Sequence, residues 1–210
     1  MGILKNGAFG HLNGRVGNLV SYTSKGKNVT RTIGHSDKAP SPAKLANYQK
    51  MAVVNAFLKP VLPFINLGFF FAVQGTDRNQ HNEAVSYNKK HAMQGSYPDI
   101  HMDYSKAMLS MGTLAPAIQP KVTKTEAGIR FNWDFDENTD WGTWQDRAML
   151  LLYFTDEMEA KYVLSGARRR EAHDFIALPS RDLKRPMQCY VAFVASDLKN
   201  VSDSVWAGGI

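Results

Sequence analysis

From Ile129 to Asp136 the chain alternates without a break: Ile129, Phe131, Trp133 and Phe135 are interleaved with Arg130, Asn132, Asp134 and Asp136. A period of two sends successive side chains to opposite faces of an extended backbone, so this segment reads as a strand with one buried and one wet face. Further strand signals surround it at short spacing. Residues 149–154 form a continuous apolar run suited to a central strand; 162–164, 174–178, 188–195 and 202–207 follow, and 120–125 lead in. Turn residues separate them at 136–139, Leu178-Pro179, Arg185-Pro186 and 198–200. About seven short strands over residues 116–210 predict an all-β sandwich of immunoglobulin or fibronectin type, with Trp133 as its large core residue.

The first half has a different texture. Residues 1–36 are extended and punctuated by glycine, among them Gly14, Gly17 and Gly26. Stretches 19–23 and 28–33 are rich in β-branched and aromatic residues, and Ser24-Lys25-Gly26-Lys27 between them has glycine where a tight turn needs positive φ, which predicts a β-hairpin. Residues 37–42 form a proline-bearing linker ending at a helix start, with Ser41 as N-cap and Pro42 in the first helical position. Apolar residues recur at helical spacing over 43–59, and Pro60 and Pro63 must kink or end that helix. The run 64–73 is almost wholly apolar, with Phe69, Phe70 and Phe71 in a row; it either packs deep against the sandwich or forms the apolar centre of a subunit contact. A more polar helix is expected over 80–94, stopped by Gly95, then a short extended piece at 100–104 and a strand or turn at 108–114. The fold class is therefore α+β: a basic region, residues 1–115, with a glycine-rich N-terminal β-hairpin and a helical middle segment, followed by the sandwich, residues 116–210.

Charge divides along the same lines. Residues 1–70 carry nine Lys or Arg against one acid, a net +8; residues 71–115 are neutral; residues 116–210 carry twelve bases and fourteen acids, a net −2. A basic third joined to a slightly acidic half suits an anionic partner such as nucleic acid, or a head-to-tail contact between copies. One cysteine, Cys189, excludes an internal disulfide and a disulfide-stapled module. The N-terminus lacks the apolar core of a signal peptide and the longest apolar stretch, 61–73, is interrupted by Pro63, Asn66 and Gly68, so no transmembrane segment and synthesis in the cytoplasm are expected, the final location staying open between cell, surface and a virion-like assembly.

No pattern of catalytic, cofactor or metal-binding residues emerges. The six histidines have no metal-ligand spacing. Gly10, Gly14 and Gly17 match neither phosphate-binding loop, and Asp134, Asp136, Glu137 and Asp140 lack the ordered ligand series of a calcium loop. Cys189 alternates with Val191 and Phe193, as a packing residue would. Arg168, Arg169 and Arg170 sit between two expected strands, where they either touch phosphate or an acidic partner or guard a sheet edge. Tyr22, Tyr48 and Phe57 mixed with Lys25, Lys27, Arg31, Lys44 and Lys50 have the composition of a nucleic-acid surface.

The opening Met1-Gly2-Ile3-Leu4-Lys5-Asn6-Gly7-Ala8-Phe9-Gly10, the Gly14, Gly17, Asn18, Val20 series and Gly26-Lys27 followed by Val29 and Arg31 resemble an uncharacterised protein family of Bacteroidota. The resemblance extends through Asp103-Tyr104-Ser105-Lys106 and Ser110-Met111-Gly112 into a β-rich tail. It implies the same order of elements and no activity.

These features favour a non-enzymatic structural or interaction protein that self-assembles into a homo-oligomer, as a filament, surface or virion-like component. Gly14, Gly17, Tyr22, Gly26 and Arg31 would form the engaging arm, with Phe69, Phe70, Phe71 and Arg168, Arg169, Arg170 as further contacts. The alternatives are nucleic-acid binding by the basic third, a glycan- or ligand-binding module using Trp141 and Trp144 as a stacking platform, and an enzyme of unrecognised type.

Overall fold

A computed structural model describes residues 2–4, 10–24, 26–35, 37–138 and 140–210. Two compact units part between Ser41 and Pro42. The first is a four-stranded antiparallel meander of β1 (Gly2–Leu4), β2 (Leu12–Val16), β3 (Leu19–Ser24) and β4 (Lys27–Thr32), paired in that order. The expected hairpin is β3–β4, with Tyr22 opposite Val29 and Val20 opposite Arg31. Gly26 takes φ +77° in its turn, a conformation that side chains resist.

The second unit, Pro42–Ile210, is layered. Strands β7 (Ile118–Thr125), β8 (Gly128–Asp134) and β11 (His173–Ala177) make one sheet in the order β11-β8-β7. Strands β9 (Arg147–Phe154), β10 (Glu159–Val163), β12 (Met187–Val194) and β13 (Val205–Gly209) make the other, in the order β10-β9-β12-β13. This three-plus-four division, with the sandwich's fourth strand beside its third, is that of a fibronectin-type sandwich. Trp133 packs edge-on to Phe193 at 5.4 Å in the space between the sheets, and its Nε1 donates to the Arg169 carbonyl at 2.8 Å.

Above the four-stranded sheet lies a helical layer. Helix α1 (Pro42–Leu58) runs through a short 3-10 turn, Lys59–Val61, into α2 (Leu62–Gly68), and α3 (Gln80–His91) packs beside them. Pro60 and Pro63 stand second in their segments, within the first turn, where no backbone donor is missed. Asn79 caps α3 by accepting from the Asn82 N–H at 2.7 Å. That helix ends at His91, short of Gln94, because β5 (Met93–Gln94) turns back to pair with β6 (His101–Met102).

The layering explains the two strand patterns. In β9, Met149, Leu151 and Tyr153 face the helices together with Tyr190, Ala192 and Val194 of β12. Ala148, Leu150, Leu152 and Phe154 face the opposite sheet with Cys189, Val191 and Phe193. Both faces are buried, so both strands read as continuous apolar runs. Strand β8 has one buried face and alternates. The fold does not divide near residue 116, since Phe57, Leu58, Val61, Phe64 and Ile65 from the helices share a core with the sandwich strands. By length and composition alone Pro42–Gly68 would pass as a membrane span, but these residues bury much of its apolar side in that core.

The stretch at 108–114 is no ladder strand; its one bridge pairs Leu114 with Ser202. Hydroxyls hold it instead. Ser204 Oγ accepts from the Leu109 and Ser110 N–H groups at 2.8 and 3.3 Å, and Ser110 Oγ donates to the Ser202 carbonyl at 2.7 Å. Asn88, fully buried on α3, donates to the Met108 carbonyl and accepts from its N–H. Gly112 crosses so near the Val201 carbonyl that any Cβ would collide with it.

Candidate functional site

In the first unit, register gathers a distinct face. Arg15 lies opposite Val20 and Val20 opposite Arg31, while Tyr22 pairs with Val29, so these five side chains project from one side of the sheet. It carries two guanidiniums, a phenol and two aliphatic groups without a carboxylate; Arg15 Nε donates to the Gly17 carbonyl at 3.0 Å. Tyr22 is 38% exposed. Of the expected arm residues, Tyr22 and Arg31 are brought together here, while Gly14 lies within β2 opposite Ser21 and Gly17 and Gly26 occupy the two tight turns. On the other face the Ser21 and Thr30 hydroxyls hydrogen-bond at 2.8 Å.

The three phenylalanines separate. Phe69 is fully buried in the helix–sheet core and Phe71 packs against the same cluster. Phe70 stays 46% exposed, edge-on to Phe71 at 5.0 Å. Deep packing therefore accounts for two of them.

The three arginines separate as well. Arg169 is buried: its guanidinium pairs with buried Asp146 at 3.0 Å, donates to the Ala115 carbonyl at 2.8 Å and lies 3.8 Å over the Phe193 ring. Burial raises the Asp146 carboxyl and lowers the Arg169 guanidinium, each opposed by the charge of the other. Arg169 is a structural clamp across the sandwich and offers no surface to a partner. Arg168 lines a shallow cleft of about 460 Å³ with Trp141 and Arg147, and Arg170 is exposed. Trp141 is 66% exposed, whereas Trp144 packs edge-on to Phe135 at 5.9 Å, so the two indoles are placed differently and only Trp141 lines the cleft.

An open groove of about 900 Å³ between α1 and α3 went unread in the sequence. Lys50, Lys89 and Lys90 line it with Asn47, Asn82 and Ser86, and among the described residues no carboxylate does. The signal was present: Asn82, Ser86 and Lys89 recur at four and three residues, one helical face. Phe57, read with the surface aromatics, is buried, while Tyr48 is exposed beneath the Lys44 ammonium at 5.7 Å.

Among the described residues no three His, Cys, Asp or Glu side chains converge as a metal site requires. Burial pushes the Cys189 thiol up to about 12, which keeps it protonated in the core.

A meander sheet and a fibronectin-type sandwich roofed by helices define a β-rich α+β protein. The chain belongs to a family of unknown function (DUF6266), whose model matches residues 11–208 and so covers parts of both units. No curated protein and no solved structure matches it.

Proposed function

We propose that this chain is a non-enzymatic structural protein that assembles with further copies of itself through its N-terminal sheet, as a filament, surface or virion-like component. The observation that carries the reading is the sheet's lack of a core: of the residues described in its four strands, only Ser21 is buried. A small sheet without a packed layer is marginal in water and gains by acquiring one. Strand β4 is an edge of six residues, and an open edge accepts a strand from a neighbour through main-chain hydrogen bonds. The basic first third and the acidic loop around Asp134 and Glu137 supply complementary charge for a heterologous contact. The resemblance of the glycine-bearing opening motif to a Bacteroidota family supports that origin as part of the same reading, with the final location open between the cell and an extracellular or virion-like assembly.

Light scattering coupled to size-exclusion chromatography, with absorbance at two ultraviolet wavelengths, tests this. The full chain is expected at a multiple of 23.5 kDa. Tyr22→Asp with Val29→Asp, and separately deletion of residues 1–41, should return it to a monomer with the circular dichroism of the second unit retained. A monomeric wild type, or assembly indifferent to both changes, would sink the proposal.

The lysine-lined groove and the Arg15, Tyr22, Arg31 face favour nucleic-acid binding as a second reading. The same column reports it as nucleic-acid absorbance that travels with the protein and is stripped by moderate salt.

A further inference from the structure

In the second unit a cavity of about 400 Å³ opens between α1 and the four-stranded sheet, lined by Ala56, Phe57, Met102, Tyr104, Tyr153 and Met158 among others. Three rings form one side of it. Phe57 meets Tyr153 edge to face at 4.8 Å, and Tyr104 lies 5.7 Å from Phe57 and 5.8 Å from Tyr153. The size and the largely apolar wall are those of small-molecule sites.

The two phenols set it apart from a packing defect. Tyr153 is only 2% exposed, yet among the described residues neither its hydroxyl nor that of Tyr104 has a hydrogen-bond partner. Their neighbour Tyr190 shows the usual solution: its hydroxyl donates to the Tyr104 carbonyl at 2.7 Å. Neither phenol oxygen is sealed away from solvent, so both hydroxyls can be reached through the cavity and offer their protons to a bound acceptor. Burial raises both phenols above their ordinary value, so at neutral pH each remains an O–H donor. Among the described residues no Lys, Arg, Asp or Glu lines the cavity, and His101 is the one nitrogen base that does.

We infer that this cavity binds a small, neutral, predominantly apolar molecule whose carbonyl oxygen accepts hydrogen bonds from the Tyr153 and Tyr104 hydroxyls. The aliphatic and aromatic wall takes the body of the ligand, and the phenols orient its polar end. This site is separate from the N-terminal sheet and stands whether or not the chain assembles.

Fluorine NMR on the full chain tests it with two probes of similar shape, 4′-fluoroacetophenone and 1-ethyl-4-fluorobenzene, which differ in the carbonyl acceptor. The ketone is expected to bind saturably and roughly 2- to 10-fold more tightly than the hydrocarbon, the range that one net hydrogen bond supplies. In the Tyr104→Phe, Tyr153→Phe double variant that preference should vanish while the hydrocarbon's affinity is kept. Among the described residues the variant breaks no hydrogen bond, and its near-ultraviolet circular dichroism confirms the fold. Absence of saturable binding by both probes, equal affinity of the two for the wild type, or a preference that survives the double variant would each overturn the inference.

Discussion

Two β-sheets in this molecule are built from similar local patterns and stabilised in different ways. In β9 seven of eight residues are buried; in β3 one of six is. Both are extended, with β-branched, aromatic and aliphatic side chains standing on alternate sides. The sandwich sheet has a second sheet on one face and helices on the other, so nearly all the side chains of its two central strands, β9 and β12, are removed from water. The N-terminal sheet has its ladder, its tight turns and the Ser21–Thr30 hydrogen bond. Local pattern makes a strand in both places, but only burial makes one of them a stable structure by itself.

The sharpest way to break this contrast is to cut the chain at each end of the helical segment. Removing residues 1–41 should leave cooperative thermal unfolding of the remainder, with Tm shifted by no more than about 5 °C. Removing residues 1–115 strips the cover from Met149, Leu151, Tyr190 and Ala192, and that fragment should show no cooperative transition and should aggregate. A soluble, sharply melting sandwich fragment would mean that the helices are dispensable.

Next in size is a comparison of two arginines. Arg169→Ala leaves Asp146 buried without its counter-charge and should cost about 3–5 kcal/mol in chemical denaturation. Arg31→Ala on the N-terminal sheet should fall within about 0.5 kcal/mol while weakening assembly. Equal losses would erase the distinction between clamp and contact residue.

The smallest effect is one of pH. A hydrogen bond from Lys161 holds the Asp182 carboxyl below its ordinary value of 3.8, and Arg185 does the same for Asp156. A lowered folded-state pKa gives stability that is complete above the unfolded value and lost as the pH falls through the folded one. The second unit should therefore lose Tm below about pH 4, and Arg185→Met should flatten that fall. Asp146 works in the opposite direction, because burial raises its pKa and protonation relieves its cost. Residues 1–36 contain no Asp or Glu, so hairpin signals from that region should hardly change over the same range. A Tm insensitive to acid in both wild type and variant would remove the ion pairs from the account.

Much of the architecture was legible because it rests on local rules. Alternation from Ile129 to Asp136 identified β8, the unbroken run at 149–154 identified β9, and Pro60 located the break after α1. Gly26 sits where a tight turn demands it. Contacts between residues distant in sequence were not legible. The hydroxyls of Ser110 and Ser204 bind backbone groups about ninety residues away, across separations that no periodicity encodes. Arg168, Arg169 and Arg170 are indistinguishable as letters, yet one is a buried ion-pair partner because β8, β12 and the turn before β9 converge on it. Phe69, Phe70 and Phe71 likewise divide between core and surface according to which neighbour arrives.

By itself, then, the sequence determined the elements, their order and the fibronectin-type sandwich, since backbone sterics and hydrophobic periodicity act over a few residues. Tertiary structure alone decided where the compact units part, which charges are buried, and that two tyrosines would face a cavity without partners. Those outcomes depend on which surfaces meet after collapse, and burial, the dominant source of stability, belongs to the pair of surfaces and not to either one.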